Sequence, residues 1–480
     1  MATLPSASRW SSSTAWPRRA AGAASTALAA AVFAVLDVAD ALLCFVYALL
    51  DGILEDSPVR CYCHRSYDDQ VDGGDHEHEE VSGTLYARGR RSAVRDAILY
   101  LLRHVVGRRG RAPPDETVAP CKWRSPRWSD CACKSCVAWR GGEGEGGGGG
   151  GEGGRLHVVV KEPQPYRKDA GRKQSETTTT RDPENAIFVH GFTSSSSFWA
   201  ETVFRESSSV LHDYRLFAVD LLGFGRSPKP ANCKYRVRDH VEAIERSLGE
   251  PPQSLMSGSG SFHLVAHSMG CIIALALAAK HPTRVKSITL VAPPYFLACE
   301  QKQASQVALN RLAEKKLWPP LLFGSAVMSW YEHVGRTVCL VVCKNHLLWE
   351  WLFSLFTGNN TGVDFRVRDL TKHTHHSAWH TMHNVICGGA ALQDTNLEAV
   401  AAAGIPVQAV HGADDQVVPV ECSRHLKAKL PRAKLRVNVM DRRDHATVVL
   451  GRERDFAEEL KAFWVWGSAT PSTKRRFRGC

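Results

Sequence analysis

The chain has no internal repeat, no nucleic-acid-binding motif and no acidic residue before Asp37. The first absence excludes solenoids and propellers. The second leaves the net charge of +11, with Arg and Lys crowded into Arg88 to Arg111 and Lys474 to Arg478, as a property of solvated surface, and no nucleic-acid partner is expected. The third matches a plastid transit peptide, since Met1 to Leu36 is also rich in Ser, Ala and Arg. A clean membrane span is missing too. Ala20 to Leu54 is apolar and follows Arg18 and Arg19, as in a signal peptide or signal anchor, but Asp37, Asp40 and Asp51 break it. A charge near the centre of a membrane helix costs about 2.5 to 3.5 kcal/mol. Cleavage near Cys44, an interfacial helix, or S-acylation of Cys44 as a lipid anchor would each relieve that cost.

What is present is enough for a large core. At 480 residues and 44% hydrophobic content, the chain suits one α/β unit with additions at one end and in the middle. A low-complexity run from Gly141 to Gly154 marks a flexible linker.

Beyond that linker, chemistry-bearing residues recur at strand ends. Phe262 to Val265 reads as a strand and Cys271 to Ala279 as a buried helix, with Ser268 on the tight turn between them. Such an elbow exposes a serine oxygen, and it needs small neighbours, here Ala266 and Gly270. Upstream, the strand at Ala186 to Val189 breaks into His190-Gly191-Phe192. The backbone N–H groups of Phe192 and Met269 are the candidate oxyanion hole. Downstream, Ile405 to Val410 reads as a strand followed by Asp414 and Asp415. Spacing alone does not separate these two acids; Asp415 is the expected orienter of the base and Asp414 the alternative. Leu435 to Val439 then leads to His445, ahead of the amphipathic stretch Arg454 to Trp464. Histidine suits a general base because it titrates near neutrality. The order Ser268, Asp415, His445, each after its own strand, selects this histidine from 21.

Residues from about Leu156 to Trp466 resemble an α/β-hydrolase, with Val219 to Ser227 similar to the family's loop between the oxyanion turn and the elbow. The whole chain resembles the plant BODYGUARD proteins, through Ala41 to Tyr47, Ser125 to Cys136 and His190 to Ser196. That resemblance implies an α/β fold with a mostly parallel sheet, a helical cap and an N-terminal apolar, Cys-rich extension. It also implies a carboxylic ester hydrolase (serine esterase or lysophospholipase) secreted to the cell wall or outer face of the plasma membrane, with a role in cutin and cuticle formation; a chloroplast address is the alternative. The expected divisions are 1–56, an apolar signal or membrane-associating segment; 57–140, the Cys-rich extension; 141–154, the linker; 155–297 and 401–466, the core; 298–400, the cap; and 467–480, a basic tail.

The expected partners are a lipid or acyl-ester substrate and a membrane or cell-wall surface. Acyl transfer, or ligand reception without catalysis, would use the same residues. Cap runs rich in large apolar groups, Leu317, Trp318, Leu321 to Phe323, Trp330, Trp349, Trp351 to Phe353 and Phe356, read as core packing that also suits an acyl tunnel. No cofactor is expected, and no metal is needed by the triad. His376, His380 and His383 share a helical face that Cys387 would continue, and a metal there competes with the expected solvated His-rich helix, since no acid joins that face. Of 15 cysteines, six lie between the apolar segment and the linker, at Cys61, Cys63, Cys121, Cys131, Cys133 and Cys136, and Cys61-x-Cys63 and Cys131-x-Cys133-x-x-Cys136 fit disulfides if the chain is secreted, zinc if it is not. Asn359-Asn360-Thr361 is an acceptor sequence for N-glycosylation.

Overall fold

The computed structural model describes residues 15–55, 82, 127–141, 154–163, 183–206, 211–251, 253–256, 260–295, 324, 327–357, 364–430 and 434–469. The expectations at Cys61, Cys63, Cys121, Arg88 to Arg111, Leu317 to Phe323, Asn359 and Lys474 to Arg478 lie outside the described residues, as does most of the Gly-rich linker.

Seven strands form one sheet: β1 (Val158–Lys161), β2 (Glu184–Val189), β3 (Tyr214–Val219), β4 (Phe262–His267), β5 (Val285–Val291), β6 (Val407–Gly412) and β7 (Leu435–Met440). Their order is β1-β3-β2-β4-β5-β6-β7, with β1 antiparallel to β3 and every other pair parallel. The central strands β4 and β6 are buried along their whole length, as parallel strands covered on both faces must be. β6 starts two residues later than its apolar run suggests because Pro406 has no N–H for the ladder, although its carbonyl accepts from Ile288.

Helices cover both faces. On one side α3 (Val237–Gly249), α4 (Gly270–Lys280) and α8 (Gly389–Ala402) pack around the sheet, with α4 in contact with α3, α8 and β4. Those neighbours explain why the sequence Cys271-Ile272-Ile273-Ala274-Leu275 is apolar all round. On the other side α9 (Glu453–Ala469) buries Phe456, Leu460, Phe463 and Trp464 against Phe188, Trp199 and Val265. The result is a three-layer α/β/α core.

The cap contains α5 (Glu332–Val341), α6 (His346–Thr357) and α7 (His375–Thr381), the last running into a π-helical turn at Met382–Cys387. Against α5 lies α1 (Ala15–Leu54), with the short α2 (Lys134–Gly141) following in sequence. The three acids that interrupt the apolar run of α1 each bond to the cap, beside an apolar contact of Ala29 and Phe33 with Val327 and Trp330. Tyr331 donates its hydroxyl to Asp37 at 2.9 Å. Asp40 accepts the N–H groups of His333 and Val334, at 2.9 and 3.2 Å, and so caps the N-terminus of α5. Arg336 grips both oxygens of Asp51 at 2.6 and 2.7 Å, a planar fork suited to a carboxylate. Cys44, one of the alternatives for a lipid anchor, is buried at 2% exposure on this helix. The opposite face of α1 exposes Val35, Leu42, Leu49 and Ile53.

Candidate active site

Three strand ends deliver the expected residues. After β4 the chain turns through Ser268 at φ 52°, and α4 begins two residues later. A serine in the left-handed region is strained, and such strain concentrates where a side chain must be presented. Gly270 lets the turn close, because a Cβ there would stand 2.5 Å from the His190 carbonyl oxygen.

Asp415 follows β6 and His445 follows β7. His445 Nδ1 donates to Asp415 Oδ2 at 2.8 Å, leaving Nε2 as the basic nitrogen. The other oxygen of Asp415 accepts the N–H groups of Val417 and Val418, each at 2.8 Å, and His411 Nε2 stands 3.3 Å from Oδ2. Burial alone would raise the pKa of this carboxyl, but the bonds from His411, His445 and Val418 hold it well below the usual carboxylate range. Asp414 is exposed and carries no bond to the imidazole, so of the two neighbouring acids Asp415 is the one that faces His445. Close approach of the two loops depends on Gly412, where a Cβ would lie 2.3 Å from the Arg443 carbonyl oxygen.

Ser268 Oγ has no hydrogen bond to His445 among the described residues. A base-to-nucleophile bond commonly tightens only when substrate arrives. The two residues are tied together indirectly. His267, next to the serine, donates from Nε2 to the His445 carbonyl oxygen at 2.9 Å, and the two rings lie 4.8 Å apart. Burial and the neighbouring His445 push the pKa of His267 down to about 3, so it stays neutral and serves as a strut for the His445 loop.

The Phe192 and Met269 amides donate to no acceptor among the described residues. His190 explains how the first is aimed. Its Nε2 accepts from Leu221 N–H at 2.9 Å, which fixes the proton on Nδ1, and Nδ1 then donates to the Gly191 carbonyl at 2.7 Å. In a trans peptide the carbonyl and the following N–H point oppositely. Holding the Gly191 oxygen on one side therefore turns the Phe192 N–H to the other. Burial lowers the pKa of His190 and keeps the ring neutral.

The α/β-hydrolase fold family matches this chain over residues 187–442. "Probable lysophospholipase BODYGUARD 4" of Arabidopsis thaliana is 44% identical over 451 residues, covering 94% of this chain and 99% of that one. This chain belongs to the BODYGUARD family of α/β-hydrolases. Two further Arabidopsis thaliana members, "Probable lysophospholipase BODYGUARD 5" and "Probable lysophospholipase BODYGUARD 1", are 40% and 38% identical, covering 91% and 90% of this chain and 94% of each relative. The BODYGUARD match thus includes the N-terminal extension, whereas the α/β-hydrolase match takes in the cap and the core from β2 to β7.

The histidine run of the cap differs from its expected form. His375, His376, His380 and His383 are buried, not solvated. Burial lowers the pKa of each, and His376 Nε2 donates to the Cys233 carbonyl at 3.0 Å. The π-helical turn after Thr381 changes the residue spacing, so the straight helical face expected to join Cys387 to these rings does not form. A polar cleft lined by Ser195, Ser196, Asp220, Arg226, Arg368 and Lys372 lies off the elbow, with none of Ser268, Asp415 or His445 on its wall.

Proposed function

We propose that this protein is a serine ester hydrolase acting on acyl esters of lipids, with Ser268 as nucleophile, His445 as general base and Asp415 as its orienter. Nε2 of His445 takes the Ser268 proton as Oγ attacks the ester carbonyl carbon. The N–H groups of Phe192 and Met269 receive the oxyanion, and the protonated imidazole then returns its proton to the leaving alcohol. Water, deprotonated by the same base, cleaves the acyl-enzyme and releases a fatty acid. The observation that carries this reading is the 2.8 Å bond from His445 to a buried Asp415, formed across the chain end where Ser268 sits in a strained turn.

The names of the BODYGUARD relatives support a lysophospholipid or similar mono-acyl substrate, and the family resemblance supports a place in cutin and cuticle formation at the epidermal wall. Membrane or wall-surface contact is read from apolar groups left in solvent: Leu42, Leu49 and Ile53 on α1, and Leu347, Trp351 and Leu355 on α6. In this reading α1 is retained and lies along the surface rather than across it, because Asp37, Asp40 and Asp51 are engaged by the cap. The test is turnover of a panel of acyl esters by wild type and Ser268→Ala, with circular dichroism to check the fold. The variant should keep its fold and lose turnover. Undiminished turnover would overturn the assignment.

A further inference from the structure

Three cysteines of the N-terminal extension meet one histidine of the cap. Cys131, Cys133 and Cys136 lie on the turn that leads into α2 and on its first residues, and His346 opens α6. Their donor atoms all fall within 4.8 Å of one another. His346 Nε2 stands 3.5 Å from Cys133 Sγ and 3.5 Å from Cys136 Sγ. A tetrahedral ion with Zn–S near 2.3 Å and Zn–N near 2.0 to 2.1 Å sets sulfur and nitrogen about 3.6 Å apart.

Two further features belong to metal sites and have no place in a disulfide. Backbone N–H groups of Cys133 and Cys136 donate to Cys131 Sγ and Cys133 Sγ, at 3.4 and 3.5 Å, which favours thiolates. On the far side of the imidazole, Nδ1 donates to Glu350 Oε1 at 3.0 Å. That bond fixes the tautomer with the Nε2 lone pair facing the sulfurs, the carboxylate–histidine support typical of a metal ligand. None of the three cysteines is in a disulfide, and a disulfide would use only two of them and leave the supported imidazole without a task.

We propose that Cys131, Cys133, Cys136 and His346 bind one Zn²⁺ as a structural Cys₃His site that staples the extension onto the cap. Three thiolates and an imidazole in tetrahedral reach select zinc over oxygen-seeking ions. The site is separate from the ester chemistry, and its third sulfur and supported imidazole, rather than the compartment, decide between disulfide and zinc at Cys131 to Cys136 in favour of zinc. Nearby, Cys339, Cys343 and His373 form a second group of three donors, without a fourth among the described residues, and they supply an internal comparison.

The experiment is zinc content by plasma mass spectrometry of the full chain, for wild type, Cys133→Ser, His346→Ala and Cys343→Ser. Loss of about one equivalent is expected in both Cys133→Ser and His346→Ala, whatever Cys343→Ser does. Should those variants fail to fold, the wild-type chain decides. Its Cys131, Cys133 and Cys136 should resist alkylation until a chelator is added, and the cobalt-substituted chain should show thiolate-to-cobalt charge-transfer absorption. A wild-type chain without zinc, zinc content unchanged in both folded variants, or a disulfide among these three cysteines would overturn the proposal.

Discussion

Asp414 and Asp415 are adjacent in the chain and opposite in environment: one is exposed, the other is buried and bonded to His445. Asp415→Asn should lower kcat on an acyl ester by about 10⁴-fold, because an amide stabilises the wrong tautomer of the base. Asp414→Asn should change it little, and steady-state kinetics on the pair separates them. His190 acts one step removed, by holding the Gly191 carbonyl. His190→Phe should lower kcat by roughly 10² to 10³ with little change in KM, the signature of a lost oxyanion donor. Its neutral ring and its partner Leu221, 31 residues away, are tertiary facts, so the sequence motif His190-Gly191 pointed to the turn without disclosing what the imidazole does there.

Among the elements, strand ends were readable because apolar runs stop where turn-forming residues begin, and β2, which ends at Val189 just before His190-Gly191, is the clearest case. The cap helices were harder. His375 to Cys387 has the composition of a wet surface, yet it packs inward because Tyr235 and Gly223, from a distant loop, receive it. The acids of α1 were equally opaque, since their partners Tyr331, His333 and Arg336 lie about 290 residues downstream. Removing Arg336 leaves the buried Asp51 with only the Trp128 Nε1–H at 2.7 Å and Arg127 at 3.7 Å, so Arg336→Met should destabilise by about 3 kcal/mol, the low end for a broken buried pair, in denaturant titration. At His333, burial works to lower the pKa, but Asp40, Cys44 and Glu332 together outweigh it and the ring is pushed up to about 10. A raised folded-state pKa makes these contacts fully stabilising below the unfolded value, about 6.5. That contribution fades as pH rises through about 10. Protease sensitivity of α1 should therefore increase over that interval, and His333→Gln should abolish the increase.

For the whole molecule, α1 and the cap helix α6 leave apolar side chains in solvent, Leu42, Leu49, Trp351 and Leu355 among them. Leu42→Asp with Leu49→Asp should release the protein from phospholipid vesicles in flotation while leaving cleavage of a soluble short-chain ester within about two-fold, since both side chains are exposed on α1 and neither is on a strand end that carries Ser268, Asp415 or His445. The account depends most on Ser268 being the atom that becomes covalently acylated. Its most direct measurement is peptide mass mapping of the wild-type chain after reaction with a fluorophosphonate probe. The adduct should sit on Ser268 and disappear in Ser268→Ala; a label on another residue, or one that persists in that variant, would contradict the account.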